Sequence, residues 1–344
     1  MYKRFLPAAV ILLMVTGFFS FQSCNKNSGS GNDTGKNSAS GNNANLINGN
    51  KVSLKMLPKK GDTFRYGMLA KTTTVENSPM TNAQDLTSEQ VINYYYTQEV
   101  TDVVDGVTTF KVKYDSINVT SSVKTKDSVM SVSYNSNVKD SMYSKPDFVQ
   151  YNAVIGEYFS ITVSAKGEIV EVFNLSKIYD KIFKAFGDTL READKSQIKE
   201  SFGNEAIKSV MQQQFQIFPD TEVVKDSMWT RSYETNLLVF PGRNDLKYRL
   251  TDIKTENGET ILTIQADLGT TLLQDEVKDK QATYKVEKSD FSGKGTITFN
   301  LTRGCVVRKE TGTKIDLTLK LSGGGQSMKS TQNVSTVMNV GLLK

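Results

Sequence analysis

Histidine is absent from all 344 residues of this chain, and tryptophan occurs once. Without histidine the chain can form neither a Ser-His-Asp triad, nor a Cys-His pair, nor a histidine-bearing zinc site. The sequence also has no phosphate-binding glycine loop, calcium loop or telling pair of carboxylates. We therefore predict a protein that is not an enzyme and that has no metal site and no cofactor. A histidine-free enzyme is the least favoured alternative.

Cysteine is nearly absent too, since only Cys24 and Cys305 occur. Cys305 lies in the apolar stretch 303–307, with no neighbour that would lower its pKa. We predict that it is a buried small hydrophobic residue. No internal disulfide is expected, because Cys24 is assigned to lipidation below.

Charge of one sign is not in excess. The chain has 42 basic and 37 acidic side chains, a formal net charge of +5, and no basic cluster. This balance gives no electrostatic reason to expect nucleic acid as a partner.

One long apolar run is present, at the N-terminus. Lys3 and Arg4 precede an apolar stretch from Phe5 to Phe21, a length that suits a signal peptide better than a membrane span. The stretch ends at Ser23 and Cys24, a small residue before a cysteine. This boundary resembles the lipobox of bacterial lipoproteins, although leucine is usual where Phe21 stands. The resemblance implies a signal peptide over residues 1–23, cleavage between Ser23 and Cys24, and a lipid on Cys24 that anchors the chain to a membrane. A plain signal peptide or a short transmembrane anchor are the alternatives.

The composition changes abruptly after Cys24. Residues 24–50 are rich in Asn, Ser and Gly and cannot bury apolar surface, which predicts a disordered linker. The N-terminus resembles lipoproteins of the Bacteroidota type. Surface-exported members often carry acidic residues after the cysteine, whereas Asn25, Lys26 and Asn27 stand here. The resemblance thus implies a cell-envelope, outer-membrane lipoprotein that faces the periplasm.

The remaining chain alternates apolar and polar residues with a period of two. Examples are Phe159-Ile161-Val163, Ile297-Phe299-Leu301 and Ile315-Leu317-Leu319. Alternation predicts half-buried antiparallel strands, and turns such as Asp105-Gly106 and Asn257-Gly258 predict hairpins. We predict a mainly β (α+β) fold with two antiparallel meander modules, residues 51–173 and 218–344.

A helical block is predicted between the modules, at residues 174–217. Apolar residues follow helical spacing in two stripes, which comprise Leu175, Ile178, Tyr179, Ile182, Phe183 and Phe186, and then Ile207, Val210, Met211, Phe215 and Phe218.

The two modules look alike at two places. Lys60 and Phe64 stand four residues apart where the first module begins, as Lys225 and Trp229 do where the second begins. Later, a strand leads to Lys166-Gly167 in one module and to Arg303-Gly304 in the other. A duplicated curved sheet or half-barrel, or two meanders that are similar by chance, both remain open.

The openings Lys-Gly-Asp-Thr-Phe at 60–64 and Lys-Asp-Ser-Met-Trp at 225–229, with the Lys-Gly-Glu turn at 166–168, resemble a lipoprotein family of Bacteroidota without an assigned activity. The chain departs from it where Lys225 replaces the usual glycine before Asp226. A more distant, architectural likeness is to LolA-like lipoprotein carriers, in which helices cover a curved sheet. That likeness implies a cavity for acyl chains.

Three functions compete at this stage. The first is a membrane-anchored binding module for an apolar ligand or an envelope component, with Phe183, Phe186 and Phe215 as candidate ligand contacts. The second is a structural or assembly lipoprotein with an envelope protein as partner, and the third is the histidine-free enzyme. The same aromatics are more readily explained as core residues, because a helical stripe normally packs on the sheet, and Tyr94-Tyr95-Tyr96 predicts a strand with at least one exposed tyrosine.

Overall fold

The structure is a computed structural model that describes residues 46–79, 85–142, 145–187, 190–201, 203–237, 239–278, 282–323 and 326–344. The signal peptide, Ser23, Cys24 and the linker up to residue 45 lie outside the described residues. Fifteen strands are described, and they run in chain order as β1 Ile47–Asn48, β2 Lys51–Val52, β3 Thr63–Asn77, β4 Leu86–Val104, β5 Val107–Lys124, β6 Val129–Asn135, β7 Tyr158–Ser164, β8 Ile169–Phe173, β9 Met228–Leu237, β10 Phe240–Glu256, β11 Glu259–Leu272, β12 Glu276–Lys278, β13 Thr283–Asn300, β14 Cys305–Gly323 and β15 Gln326–Leu342.

Thirteen of these strands form one open, curved, antiparallel sheet. Its order is β8-β7-β5-β4-β3-β15-β14-β13-β11-β10-β9, while β6 pairs with β5 and β12 with β13. The first module supplies β3 to β8, hereafter the first half, and the second supplies β9 to β15, the second half. They are joined where β3, the first long strand, pairs with β15, the last. The predicted mainly β fold is confirmed, and the two modules share a single sheet.

The strands form because their sequences alternate in polarity. In β14 the side chains of Ile315, Leu317 and Leu319 are buried, whereas Asp316 and Lys320, which point to the opposite face, are exposed. One face of the sheet therefore carries the apolar residues and packs in the interior. The predicted hairpin turns are present, with positive φ at Asp105 and at Asn257.

The described helices are α1 Val149–Val154, α2 Ser176–Phe186, α3 Glu192–Ser201 and α4 Asn204–Gln212. The last three confirm the predicted helical block, but the block ends at Gln212 and not near residue 217. After a turn at Gln213 and Gln214, residues 215–218 run through the interior outside any helix or strand, and Phe215 and Phe218 are buried there. Helix α1 interrupts the first half and was not predicted, because its six residues are too few to show a helical stripe. None of the described helices is long and apolar enough to cross a membrane.

The ordered body begins before residue 51, where the linker was predicted to end. Residues 46–50 belong to a small hairpin formed by β1 and β2. Leu46 is buried in the main core, and its carbonyl accepts a hydrogen bond from the amide of Ser53 at 2.8 Å. A single apolar side chain thus extends the folded region into an otherwise polar segment.

The two halves begin with the same local geometry. The amide of Val100 donates to the carbonyl of Asp62 at 2.8 Å, and that of Leu250 donates to the carbonyl of Ser227 at 3.0 Å. One residue further on, both strands bulge, at Thr101 and at Thr251. Each bulged threonine hydroxyl donates to a carbonyl of the next strand, to Thr109 at 3.2 Å and to Thr263 at 3.1 Å, respectively. The resemblance between the modules is therefore real at the level of strand register.

Side chains repeat as well as backbone. Lys60 forms an ion pair with Asp102 at 3.3 Å, and Lys225 forms the corresponding pair with Asp252 at 3.5 Å. The lysine-to-aromatic spacing, from Lys60 to Phe64 and from Lys225 to Trp229, therefore marks equivalent positions in the two halves. The residue that occupies the place of Gly61 (φ 90°) is Asp226 (φ 69°), and both have a positive φ.

At the second place of likeness, apolar–polar alternation alone would match Val163 with Leu301. Bulges in the β7–β8 and β13–β14 pairs make Val163 equivalent to Phe299, and not to Leu301. The turn after Phe299 is one residue longer than the turn after Val163. Apolar–polar alternation alone predicts the wrong equivalent residue here, because the bulges change which residues of each strand face the core.

Candidate functional site

The helices cover the first half of the sheet because the apolar side chains along one side of them pack against the core. Ile178 and Ile182 of α2 are buried in the main core, together with Leu175 before the helix. Helix α1 packs against α2. Helix α3 is more polar than α1 and α2. The space between α3 and these two helices is therefore not filled by large apolar side chains.

A cleft of about 310 Å³ lies among these three helices. Its volume is at the lower end of the range for small-molecule sites. Four of the lining side chains are apolar and three are polar: Val149 and Gln150 from α1, Ile182 and Phe186 from α2, and Asp194, Gln197 and Ile198 from α3.

Asp194 at the cleft, and Glu192 near it in the sequence, are both paired with a basic side chain. Arg191 donates to both carboxylate oxygens of Asp194 at 2.9 Å, and this hydrogen-bonded guanidinium holds the pKa of Asp194 below its usual range. Lys195 donates to Glu192 at 2.7 Å and lowers the pKa of Glu192 in the same way. Both carboxylates are therefore ionised near neutral pH, and neither is suited to act as a general acid there.

The three candidate phenylalanines do not meet in one site. Phe186 lines the cleft. Phe183 stacks on Tyr179 with ring centres 6.3 Å apart, and faces Lys195 and Lys199 of α3. Phe215 is buried in the core against Phe110, with ring centres 5.7 Å apart. Only Phe186 thus remains a candidate contact of a ligand in this cleft.

Two other predictions from the sequence are confirmed. Tyr94 and Tyr96 are buried while Tyr95 between them is exposed, as alternation along β4 requires. Cys305 is buried, and its burial raises the pKa of the thiol to about 12, so it is an inert core residue.

A buried polar cluster joins the halves, and sequence reasoning missed it. Gln98 and Gln214 exchange two amide hydrogen bonds at 2.8 and 2.9 Å, and Tyr96 also donates to Gln214. Lys309 of β14 donates from Nζ to the carbonyl of Phe215 at 3.1 Å. Burial lowers the pKa of Lys309 to about 7. The signal in the sequence was the run Gln212-Gln213-Gln214, which is unusual beside so many apolar residues.

This cluster is structural and not a binding site. The side chains of Gln98, Gln214 and Lys309 are at most 3 % exposed. Lys309 satisfies the carbonyl of Phe215, and the amide of Phe218 donates to the carbonyl of Lys166, because residues 215–218 cross the interior without joining the sheet. Among the described residues, no three carboxylate or thiol groups lie close enough together to bind a metal ion.

The architecture defines a class: a single long-stranded, open antiparallel sheet with helices α1 to α4, the helical cap, over its first half. The chain belongs to the DUF6263 family, a family of unknown function, which matches residues 105–306. The match spans β5 to β8 of the first half, the helices, and the second half as far as the start of β14.

Other comparisons add little. No protein with a curated description matches this sequence. Among solved structures, lipovitellin, from a study of its lipid–protein interactions, has a TM-score of 0.43 at 9% identity, and covers 83% of this chain. The chain spans 25% of the lipovitellin chain.

Two further solved structures also match. OccK7 (OpdD) of Pseudomonas aeruginosa has a TM-score of 0.22 at 6% identity, with 83% of this chain and 100% of that chain covered. The beta domain of the Bordetella autotransporter BrkA has a TM-score of 0.19 at 7% identity, with 80% and 98% covered. TM-scores below 0.5 carry no information on function.

Proposed function

We propose that this chain is a membrane-anchored, non-catalytic binding module that holds an apolar ligand in the cleft among α1, α2 and α3. The observation that carries the proposal is the exposure of Phe186 at the cleft, beside Ile182 and Ile198. An aromatic side chain left partly open to water at a concave apolar surface is what small-molecule sites present. The ionised state of Asp194 and its pairing with Arg191 favour binding over acid–base chemistry.

Anchoring is the second part of the proposal. It rests on the Ser23-Cys24 boundary, which predicts a lipid on Cys24. Because Leu46 belongs to the folded body, the predicted linker ends at residue 45 at the latest. If residues 24–45 are the disordered linker that their composition predicts, its root-mean-square span would be roughly 26 Å. The body would then work close to the outer membrane, on its periplasmic side.

Binding is tested with the uncharged apolar dye N-phenyl-1-naphthylamine, whose fluorescence rises in apolar surroundings. We expect the wild-type chain to bind the dye and the Phe186→Ser variant to bind it at least tenfold more weakly, since the change removes the aromatic side chain that lines the cleft. The matched control is Tyr95→Ser. Tyr95 is 39% exposed and Phe186 40%, but Tyr95 lies in β4, away from the cleft.

Equal loss of binding in both variants, or no binding by the wild type, contradicts the cleft as an apolar site. Circular dichroism and the urea midpoint of each variant show whether the fold is retained. Mass spectrometry of the natively purified protein then distinguishes a co-purifying lipid from a stoichiometric protein, the partner that the assembly alternative requires.

A further inference from the structure

The strand β6 is an unprotected edge of the sheet. It pairs with β5 through Asn118–Lys124, and no other described strand pairs with it. Exposed edges usually carry lysine, proline or a covering element, because unpaired backbone groups otherwise recruit another strand. The sequence of β6, Val-Met-Ser-Val-Ser-Tyr-Asn, contains no charge, no proline and no glycine.

Its apolar side chains are exposed as well as its edge. Val129 and Met130 are each 66% exposed and Val132 is 42% exposed. Met130 and Val132 lie on the same sheet face as the buried Tyr134, so they continue the core face past the helical cap. A strand that leaves this much apolar surface in water marks an interaction site.

The other edges of the sheet differ from β6. Strand β12 has only three residues, two of which are the charged Glu276 and Lys278. Strand β9 carries Arg231 and Glu234 within its ten residues, which discourages unselective pairing. Strand β8 is only five residues long and is packed by α4.

The second half shows what occupies the corresponding edge. There the outer part of β13 lies where β6 lies in the first half, and it is paired from Thr283 to Ser292 with antiparallel β14. The covering strand presents Ile315, Leu317 and Leu319 in alternation toward the interior. An occupant of the β6 edge should thus be an antiparallel strand with apolar residues at every second position on the core face.

We propose that the occupant is β6 of a second copy of this chain, which forms a two-fold dimer with a continuous sheet. Strand β6 has the required alternation, Met130, Val132 and Tyr134, whereas β9 does not. An uncharged strand also meets no like charge when it pairs with itself. Complete overlap of its seven residues places the two-fold axis at Val132, opposite the same residue of the partner.

The oligomeric state of the full chain, solubilised in detergent, tests this proposal. The protein mass within the micelle, from light scattering with refractive-index and absorbance detection, should be that of a dimer at micromolar concentration. Val132→Lys places two ammonium groups opposite each other, and we expect it to weaken self-association at least a hundredfold. Val337→Lys is the matched control, because Val337 is also 42% exposed but lies in β15, whose two edges are already paired.

The register is tested by Val132→Cys. Directly opposed residues of antiparallel strands have Cα atoms about 4.5–5.5 Å apart, a separation that a disulfide spans. Mild oxidation should link this variant into covalent dimers and leave Val337→Cys unlinked. A monomeric wild type, a dimer that survives Val132→Lys, or equal cross-linking of both cysteine variants would overturn the proposal. None of these outcomes depends on ligand binding in the cleft.

Discussion

The two halves of the sheet begin alike and end differently. In the first half, β8 stops after five residues and the chain continues into α2, whereas its counterpart β14 runs for 19 residues. The long strands of the second half bury a second apolar cluster, which comprises Phe240, Val286, Ile315, Leu317, Leu319 and Val334. The first half has a cleft and an open edge at β6 instead. Both candidate interaction sites therefore lie where the strands of one half are cut short.

The strongest test of the comparison concerns the turns at Gly167 and Gly304. Both have positive φ, and each presses against the segment that leads into the other half, at the carbonyl of Gln216 and at the Leu57–Pro58 peptide, respectively. Because a Cβ would meet backbone there in addition to the strained φ, we expect Gly167→Ala and Gly304→Ala each to lower the free energy of unfolding by about 3 kcal/mol.

Urea denaturation measures this effect, with Gly258→Ala as the control. Gly258 has φ of 79° but open space around the position of a Cβ. Its substitution should cost only about 1 kcal/mol. Equal losses of unfolding free energy in all three variants would mean that the close contacts of Gly167 and Gly304 add nothing to stability.

The next test exchanges one residue between the halves. The position of Lys309 in β14 corresponds to that of Val172 in β8, by the registers of the two strand pairs. Since burial lowers the pKa of Lys309 from 10.5 to about 7, the unfolded chain binds more protons than the folded chain between those two pH values. Stability should therefore increase as the pH rises from 7 to 10.5, with a slope of at most about 1.4 kcal/mol per pH unit from this residue.

Lys309→Val should remove that dependence. The free energy of unfolding, measured against pH for both proteins, shows whether the slope between pH 7 and 10.5 is smaller in the variant. An unchanged slope would assign the pH dependence to other groups.

The smallest effect concerns the shared bulges. Thr101→Val and Thr251→Val each delete one hydroxyl hydrogen bond to the neighbouring strand, and we expect equal losses of about 1 kcal/mol. The serine variants, which keep the hydroxyl, should lose less. Because the two bulges are in separate halves, the double valine variant should show the sum of both losses. Clearly unequal losses would show that the two bulges contribute differently to stability, although their geometry is the same.

Local patterns were sufficient to predict most elements. Alternation in β7, β13 and β14 predicted strands, the stripe from Ile178 to Phe186 predicted α2, and the spacing from Lys60 to Phe64 marked a true repeat. The cleft was only partly predicted. Phe186 lines it, but Phe215 belongs to the core because the helix ends at Gln212, and no periodicity distinguishes a helix from an extended buried segment at that point.

By itself the sequence determined what depends on neighbours along the chain: strand alternation, turn residues, the burial of Cys305, and the absence of histidine chemistry. Only the tertiary structure decided that β3 pairs with β15 and so unites both halves, and that Lys309 enters the core beneath Phe215. It also decided that β6 is left with an open edge. These features join residues about 90 to 280 positions apart or depend on which strands stop early, and no local preference of the chain encodes them.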